Sequence, residues 1–512
     1  MCCPSWVVNS EPDDPAIDRV PADLLETAAC ALSKNLCDHC LGRLFAKLGF
    51  GLGNEERGRA LRVVLAMVGE REDESTPFIS REILERLPVH KEDIQESGME
   101  PAPDTPTSSW NEPSSPSFNR AWMEEVSEGG KCWLCEDVFH SLDELASVVL
   151  DEASRWEFST FSVGCRMDPR TVEREQLLWQ ECGGVSPEPI KEELNREIGK
   201  RVFERLDGVE FDRADPDITF VLDPLYRSIT CQVKPVFILG RYRKLVRGIP
   251  QTRWPCRHCR GKGCDRCGGT GRMYETSVEE QIGKHVVKIL EGEDFKLHGM
   301  GREDVDVMTL GTGRPFILEV RRPRKRTFSP VDLEKVINEG SGEMVSVHSL
   351  RRASRKEVPL IKGAPSLKRY RALISSTSSL DEEKVKYNIS LLAKSPIEQR
   401  TPVRVAHRRA DKVRRKWVHE ASVEVLSDGK AVIELLTDGG LYIKELLHGD
   451  GGRTEPSLSS LMEIPIEVET LDVMGVLFED EMGTKEGVES HGKKVQGHNG
   501  KHQTDAQKEA QE

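Results

Sequence analysis

The sequence lacks the marks of several large protein classes. No apolar run approaches the ~18 residues that a membrane-spanning helix needs. The start, Met1-Cys2-Cys3-Pro4 followed by Glu11, Asp13 and Asp14, has neither the basic flank nor the apolar stretch of a secretory signal, so a cytoplasmic chain with no membrane partner is expected. Phosphate-cradling GxGxxG and Walker A loops are also missing, which argues against a bound dinucleotide or nucleoside triphosphate. Apolar residues make up only 37% of the chain and aromatics 6%, against 31% charged. That is too polar for a core throughout, since globular domains run at about 45–50% apolar. Net positive charge is absent as well, the formal balance being -14. Contact with nucleic acid would therefore have to come from a local basic face rather than from a basic protein.

What the sequence does have is length: 512 residues, enough for about three domains at ~150 each. Residues 1–69 form a helical start, with Leu41–Met67 helically patterned around a break at Gly49–Gly53. Residues 70–130 turn acidic and rich in Pro and Ser, and read as a disordered insertion or linker with at most a short helix at 79–87. Residues 131–240 alternate helices and short strands. Ser141 and Glu144 have capping-box spacing, Ile190, Leu194, Ile198 and Val202 recur every fourth residue, and strands are expected at 161–163, 218–222, 229–233 and 236–239. Residues 241–478 make a second, larger α+β domain, with helices at 278–290 and 382–392 and a hairpin of 422–426 and 431–436 turning at Asp428-Gly429. The polar tail, 479–512, is expected to be disordered. The fold class is α+β.

Eight of the 14 cysteines form four CxxC pairs. In a reducing compartment such thiols are more often metal ligands or catalysts than disulfide partners. Cys37 and Cys40 can close a four-sulfur site with Cys132 and Cys135, the polar insertion looping out between them. Cys256, Cys259, Cys264 and Cys267 form a tighter knuckle among glycines. Structural zinc is expected in each set. The alternatives are two unrelated knuckles with half-buried thiols for the first set and a redox CxxC for the second. Cys2, Cys3, Cys30, Cys165, Cys182 and Cys231 are left over as structural or incidental thiols.

Three basic clusters stand out: Arg241–Arg247, Arg321–Arg326 and Arg404–Lys416. The first joins Arg241, Arg243, Lys244 and Arg247 to Tyr242 and Trp254, a combination suited to a folded RNA, where cations meet phosphates and rings stack on bases. The segment Gly301-Arg302-Glu303-Asp304-Val305-Asp306 follows an expected strand at 295–297, so its carboxylates lie on a Gly-bounded loop opening from a sheet. Such a carboxylate serves as nucleophile, general base, metal ligand or helix cap, and chemistry alone leaves these open.

Resemblance narrows the choice. Gly301–Asp304, GRED, resembles the catalytic loop of pseudouridine synthases, and Gly440-Leu441-Tyr442-Ile443-Lys444 resembles the Tyr-Ile-basic strand of that superfamily. The longer stretches RYRKLVRGIPQTRWPC (241–256), GREDVDVMTLGTGRPFILE (301–319), QRTPVRVAHRRADKV (399–413) and YIKELLHGDGGRTEPS (442–457) are similar to the archaeal THUMP-containing tRNA pseudouridine synthases. The resemblance covers about 30–67 and 131–478. It implies a mixed-sheet catalytic domain preceded by a zinc-bearing, THUMP-containing accessory domain within 131–240 that holds the acceptor end of tRNA. It also implies that Asp304 attacks uridine covalently, that Lys444 pairs with Asp304 and keeps it ionised, and that Tyr370 and Tyr442 face the extruded base. Asp306 is the second choice of nucleophile, facing the same way if the segment is extended. The implied reaction is isomerisation of uridines 54 and 55 in the tRNA T-loop, with no catalytic cofactor and no obligate protein partner. Two rivals remain at this point: a THUMP-bearing methyltransferase or thiolation enzyme, and a zinc-stabilised RNA-binding protein without activity.

Overall fold

The computed structural model describes residues 22–69, 130–184, 187–426 and 429–478. The expected insertion at 70–130, apart from Gly130, the tail at 479–512, Cys2, Cys3 and Asp428 of the hairpin turn lie outside the described residues. Among the described residues no helix is long and apolar enough to cross a membrane. The chain divides into two compact units: one formed by residues up to Val236 with Val287–Phe295 and Val320–Phe328, the other by Phe237–Val286, Lys296–Glu319 and the remainder.

The first unit packs a four-stranded sheet under helices. Strand Thr160–Cys165 runs parallel to Glu210–Phe211 and to Ile218–Asp223, and Ser228–Val233 adds antiparallel to the last. Helix Ile190–Phe203 buries Ile190, Leu194, Ile198 and Val202 completely, the face its four-residue spacing predicts. Helix Leu142–Ala153 forms as expected, but Ser141 makes no side-chain cap; the chain enters through a 3-10 turn at Val138–Ser141 instead. The helix Pro169–Cys182 has no counterpart in the sequence reading. It opens with Pro169 in its first turn and Asp168 accepting from the Arg170 N–H, a start signal that outweighs its weak apolar stripe. Cys30 and Cys182, read as leftover thiols, are joined in a disulfide with Cα atoms 5.5 Å apart. The core runs from this sheet into the helices 22–32 and 38–42, with Phe161, Phe220, Leu41 and Leu44 fully enclosed.

The second unit is built on a mixed eight-stranded sheet. Its order is Val418–Val425, Lys430–Asp438, Ser366–Ser375, Glu467–Phe478, Met308–Arg321, Val236–Lys244 and Val345–Ala353, with Asp294–Gly299 also paired to Met308–Arg321. The hairpin expected from 422–436 is its edge. Ser366–Ser375 lies between antiparallel partners on both sides, so Lys368 and Tyr370 sit mid-sheet on one face. A small sheet of Val413–Lys416, Ile397–Arg400 and Thr454–Glu455 carries the segment 401–412.

The basic run 241–247 differs from its reading. Strand Val236–Lys244 continues through it, paired along Phe237–Lys244 with Val345–Ala353, and Arg241 and Lys244 are buried. Arg241 donates to the carbonyls of Thr312, Gly313 and Val476. Lys244 Nζ donates to the carbonyls of Ile249, Asp304 and Val305 at 2.8, 3.2 and 2.9 Å. Neither is available to a phosphate. A buried cation at an interior strand satisfies backbone acceptors that no apolar side chain could, and charge density in one dimension does not reveal this.

Candidate active site

The loop Gly301–Val305 borders a cleft of about 750 Å³ in the second unit, whose lining includes Trp254, Arg302, Asp304, Lys368, Tyr370, Arg404, Arg409, Arg414, Lys416, Tyr442 and Lys444. The loop is braced from below. Glu303, 6% exposed, accepts from the Tyr242 hydroxyl at 2.8 and 2.9 Å and lies 2.8 Å from Arg314 Nε. Gln251 donates to the Tyr242 hydroxyl and to the Gly301 carbonyl, and Arg314 Nη1 donates to the Met300 carbonyl. With Lys244 holding the Asp304 and Val305 carbonyls, the backbone presenting Asp304 is fixed on every side by charged or amide donors. Burial pushes the Tyr242 hydroxyl well above its ordinary value, as does the Glu303 charge, so it stays a donor.

Asp304 and Asp306 do not lie on the extended segment that would make them face the same way, and they take different partners. The Val307 N–H bonds back to the Asp304 carbonyl, so the segment is a turn rather than extended. Asp304 Oδ2 accepts from Arg404 Nη1 at 2.8 Å, and the same guanidinium donates through Nε to Glu445 at 2.6 Å, a carboxylate 1% exposed. Lys444 Nζ is 2.5 Å from Asp306 Oδ2. The expected Lys444–Asp304 pair is therefore not formed: Arg404 takes that place. Lys444 lies in the first turn of a short helix, Ile443–His448, not on a strand. Burial works against ionisation of Asp306, but Lys444 at hydrogen-bond distance outweighs it and the carboxyl is held below its usual range.

Tyr370 and Tyr442 both line the cleft. Tyr370 is 9% exposed, and burial, with the Asp304 charge adding to it, pushes its hydroxyl up to about 12. Tyr442 is half-buried and its backbone is clamped by Gln399, whose amide accepts from the Tyr442 N–H at 2.8 Å and donates to its carbonyl at 3.0 Å. The Arg404 guanidinium lies 5.7 Å from the Tyr442 ring centre. Also in the lining, Arg302 covers the Trp254 ring at 4.9 Å. Arg243 and Arg247, expected at phosphates, instead donate to backbone carbonyls, Gly311 for the first and Asp306 and Leu471 for the second, while Arg247 also meets the Asp472 carboxylate at 2.7 Å. Of the three basic clusters, the one that borders the cleft is the third, Arg404–Lys416, through Arg404, Arg409, Arg414 and Lys416. Arg404 itself was legible only as part of that cluster and of the stretch QRTPVRVAHRRADKV.

Both four-cysteine sets come together. The sulfurs of Cys37, Cys40, Cys132 and Cys135 lie within 4.8 Å of one another, as do those of Cys256, Cys259, Cys264 and Cys267. Tetrahedral zinc with Zn–S bonds of about 2.3 Å sets its sulfurs about 3.8 Å apart. Cys37–Cys135 at 3.6 Å, Cys264–Cys267 at 3.7 Å and the Cys256–Cys264 and Cys259–Cys267 pairs at 3.9 Å match that edge. Without a cation, burial drives the Cys40 thiol well up, against the pull of Arg43, whose Nη1 is 3.2 Å from its sulfur. The second knuckle turns on glycine: a Cβ on Gly263, at φ +89°, would meet the Gly269 carbonyl oxygen at 2.6 Å. The donor sets, spacing and N–H···S bonds such as Gly271 to Cys267 at 3.1 Å fit structural zinc, which would fix the two loops and supply no chemical step.

Comparison with known proteins follows the same division. Residues 237–477 match the family model described as Pus10, C-terminal, and residues 145–223 that of the archaeal Pus10 THUMP domain. A tRNA pseudouridine synthase Pus10 of Methanothrix thermoacetophila is 39% identical over 91% of this chain and 97% of its own length. Those of Methanopyrus kandleri and Pyrococcus furiosus are 42% and 36% identical, over 87% and 89% of this chain and 96% and 98% of theirs. A crystal structure of a Cbf5-Nop10-Gar1 complex overlaps 38% of this chain and 45% of its own at 18% identity with a TM-score of 0.25, too slight a match to bear on the site. Identity of this level over almost the full length of those archaeal relatives, with the Asp304 cleft inside the matched C-terminal segment, places the chain in the Pus10 family of tRNA pseudouridine synthases.

Proposed function

We propose that this isomerase converts uridine to pseudouridine in the T-loop of tRNA, at uridines 54 and 55, with Asp304 as the nucleophile. The reading rests on one observation above the rest: a carboxylate held by Arg404 on a rigid loop, beside Tyr370 and in a cleft edged by cations. Membership of the family sets aside the methyltransferase, thiolation and binding-only alternatives.

In this reading Arg302, Arg409, Arg414 and Lys416 meet phosphates and the target nucleotide turns out of the loop, an unstacking that costs a few kcal/mol and that protein contacts offset. The base enters against Tyr370 and Tyr442. An Asp304 oxygen bonds to C1′ as the N1–C1′ bond breaks, its electron pair leaving with the uracil. The ring turns, C5 bonds to C1′ and releases the carboxylate, C5 loses its proton and N1 gains one. Atoms and charge balance without a cofactor. Arg404 acts as a positioning residue: its guanidinium, 2.8 Å from Asp304 Oδ2, fixes where the attacking carboxylate points. Lys444 orients Asp306 at the rim of the same turn. The THUMP segment, 145–223, would hold the acceptor end.

Mapping pseudouridine in unmodified tRNA treated with the purified protein and no added cofactor tests the proposal. Pseudouridine at 54 and 55 that disappears with Asp304→Asn is expected. Modification elsewhere, or normal turnover by Asp304→Asn, would overturn it.

A further inference from the structure

Lys368 is a cation of the cleft whose position the reading above does not use. It stands two residues before Tyr370 on strand Ser366–Ser375, so both side chains project from the same face of the sheet, and both line the cleft. It is 9% exposed. Its amine lies against the nucleophile's loop: a Cβ on Gly301, whose φ of +77° already favours glycine, would come within 2.9 Å of Lys368 Nζ. Yet among the described residues Lys368 has no hydrogen bond or ion pair.

The neighbours explain why it is left without one. Glu303, the carboxylate whose charge acts on it, is occupied by Arg314 and by the Tyr242 hydroxyl. Asp304 is held by Arg404. Arg314 from strand Met308–Arg321 and Lys416 from Val413–Lys416 both repel the amine, and Glu303 alone attracts it. Burial, then Arg314, bring Lys368 down to about 8. Lys368 is nearly enclosed and open only toward the cleft, and its ammonium lacks a protein acceptor, which is costly unless a molecule in the cleft supplies one. The phosphates have other partners at the cleft edge, where Arg302 and Arg409 are exposed. What reaches the floor beside Tyr370 is the base, which carries two carbonyl oxygens and no cationic group.

We propose that the Lys368 ammonium donates to a carbonyl oxygen of the flipped uracil and stabilises the negative charge that the ring takes up when its N1–C1′ bond breaks. The proposal rests on the reading of Asp304 as nucleophile in the same cleft. The electron pair of the broken bond spreads from N1 onto O2 and O4, where a fixed cation in a water-poor site stabilises the departing ring far more than the neutral nucleotide. Lys368 transfers no proton and ends the cycle as it began.

The test compares wild type, Lys368→Met and Lys368→Arg on unmodified tRNA. Lys368→Met should lower the single-turnover rate at saturating tRNA by about 10²–10³-fold, the usual effect of deleting one such donor, with tRNA affinity nearly unchanged. Lys368→Arg should recover part of the loss and should not titrate. The ratio of wild-type to Lys368→Arg kcat/KM should therefore fall as pH rises through about 8. Groups common to both proteins cancel in that ratio, including Lys244, which burial also brings to about 8. A saturated rate unchanged in Lys368→Met, a loss confined to affinity, or a ratio constant from pH 7 to 9 would each overturn the inference. The arginine comparison decides if the methionine variant fails to fold. Absence of pseudouridine with the wild-type protein would instead overturn the parent reading, and the two failures are distinct.

Discussion

The Arg404 guanidinium spans Asp304 and Glu445, at 2.8 and 2.6 Å, so a single side chain ties the carboxylate of the cleft to one enclosed beneath it. Arg404→Gln should thus act twice. It frees Asp304, lowering turnover, and leaves Glu445 buried without its cation, at a cost on the order of 1–3 kcal/mol. Adding Glu445→Gln should restore the melting temperature and leave turnover low. Recovery of both together would mean that Arg404 matters only for folding.

Asp304→Asn keeps the shape of the side chain and removes its nucleophilic oxygen. Pseudouridine formation should fall by at least ~10³-fold while tRNA binding stays within a few-fold. Asp306→Asn, which chiefly alters the pair with Lys444, should cost far less. Equal losses in the two would mean that the roles of the two carboxylates have been assigned too sharply.

Salt dependence should separate buried from accessible cations. Neutralising Arg409, Arg414 and Lys416 together should flatten the fall of tRNA affinity with salt, by up to ~0.9 for each phosphate that is no longer neutralised, in the duplex limit. Lys244→Met and Arg241→Gln should leave that slope alone and lower thermal stability, because the first strands the loop carbonyls of Ile249, Asp304 and Val305 and the second strands carbonyls in the sheet. Binding titrations at several salt concentrations, beside melting curves, decide this.

Metal content is the fourth prediction. The purified chain should carry about two zinc ions, and Cys37→Ser and Cys256→Ser should each lose about one. Fully folded protein free of metal would refute both sites.

Much of this architecture is legible from periodicity. Helices 190–203, 278–290 and 382–392 and the edge hairpin follow from spacing alone, because each has one buried face and one wet one. Strand Val236–Lys244 does not, since it is covered on both sides and its Arg241 and Lys244 point inward to carbonyls; it therefore reads as a surface run. The cleft was half legible for a similar reason. Motif likeness locates Asp304, Tyr370 and Tyr442, but which cation meets which carboxylate depends on the turn at 304–307 and on chain segments a hundred residues away, and no local pattern carries that.

The cluster of Cys37 and Cys40 with Cys132 and Cys135 has a consequence for chain length rather than for chemistry. It returns the chain after residue 131 to the place it left near residue 40, so whatever stands between is anchored at both ends by the same four sulfurs. Lengthening such a closed loop costs only ~0.6 kcal/mol per doubling. Sequence added or removed there, outside the helix Asn54–Gly69, therefore costs the fold little in loop closure.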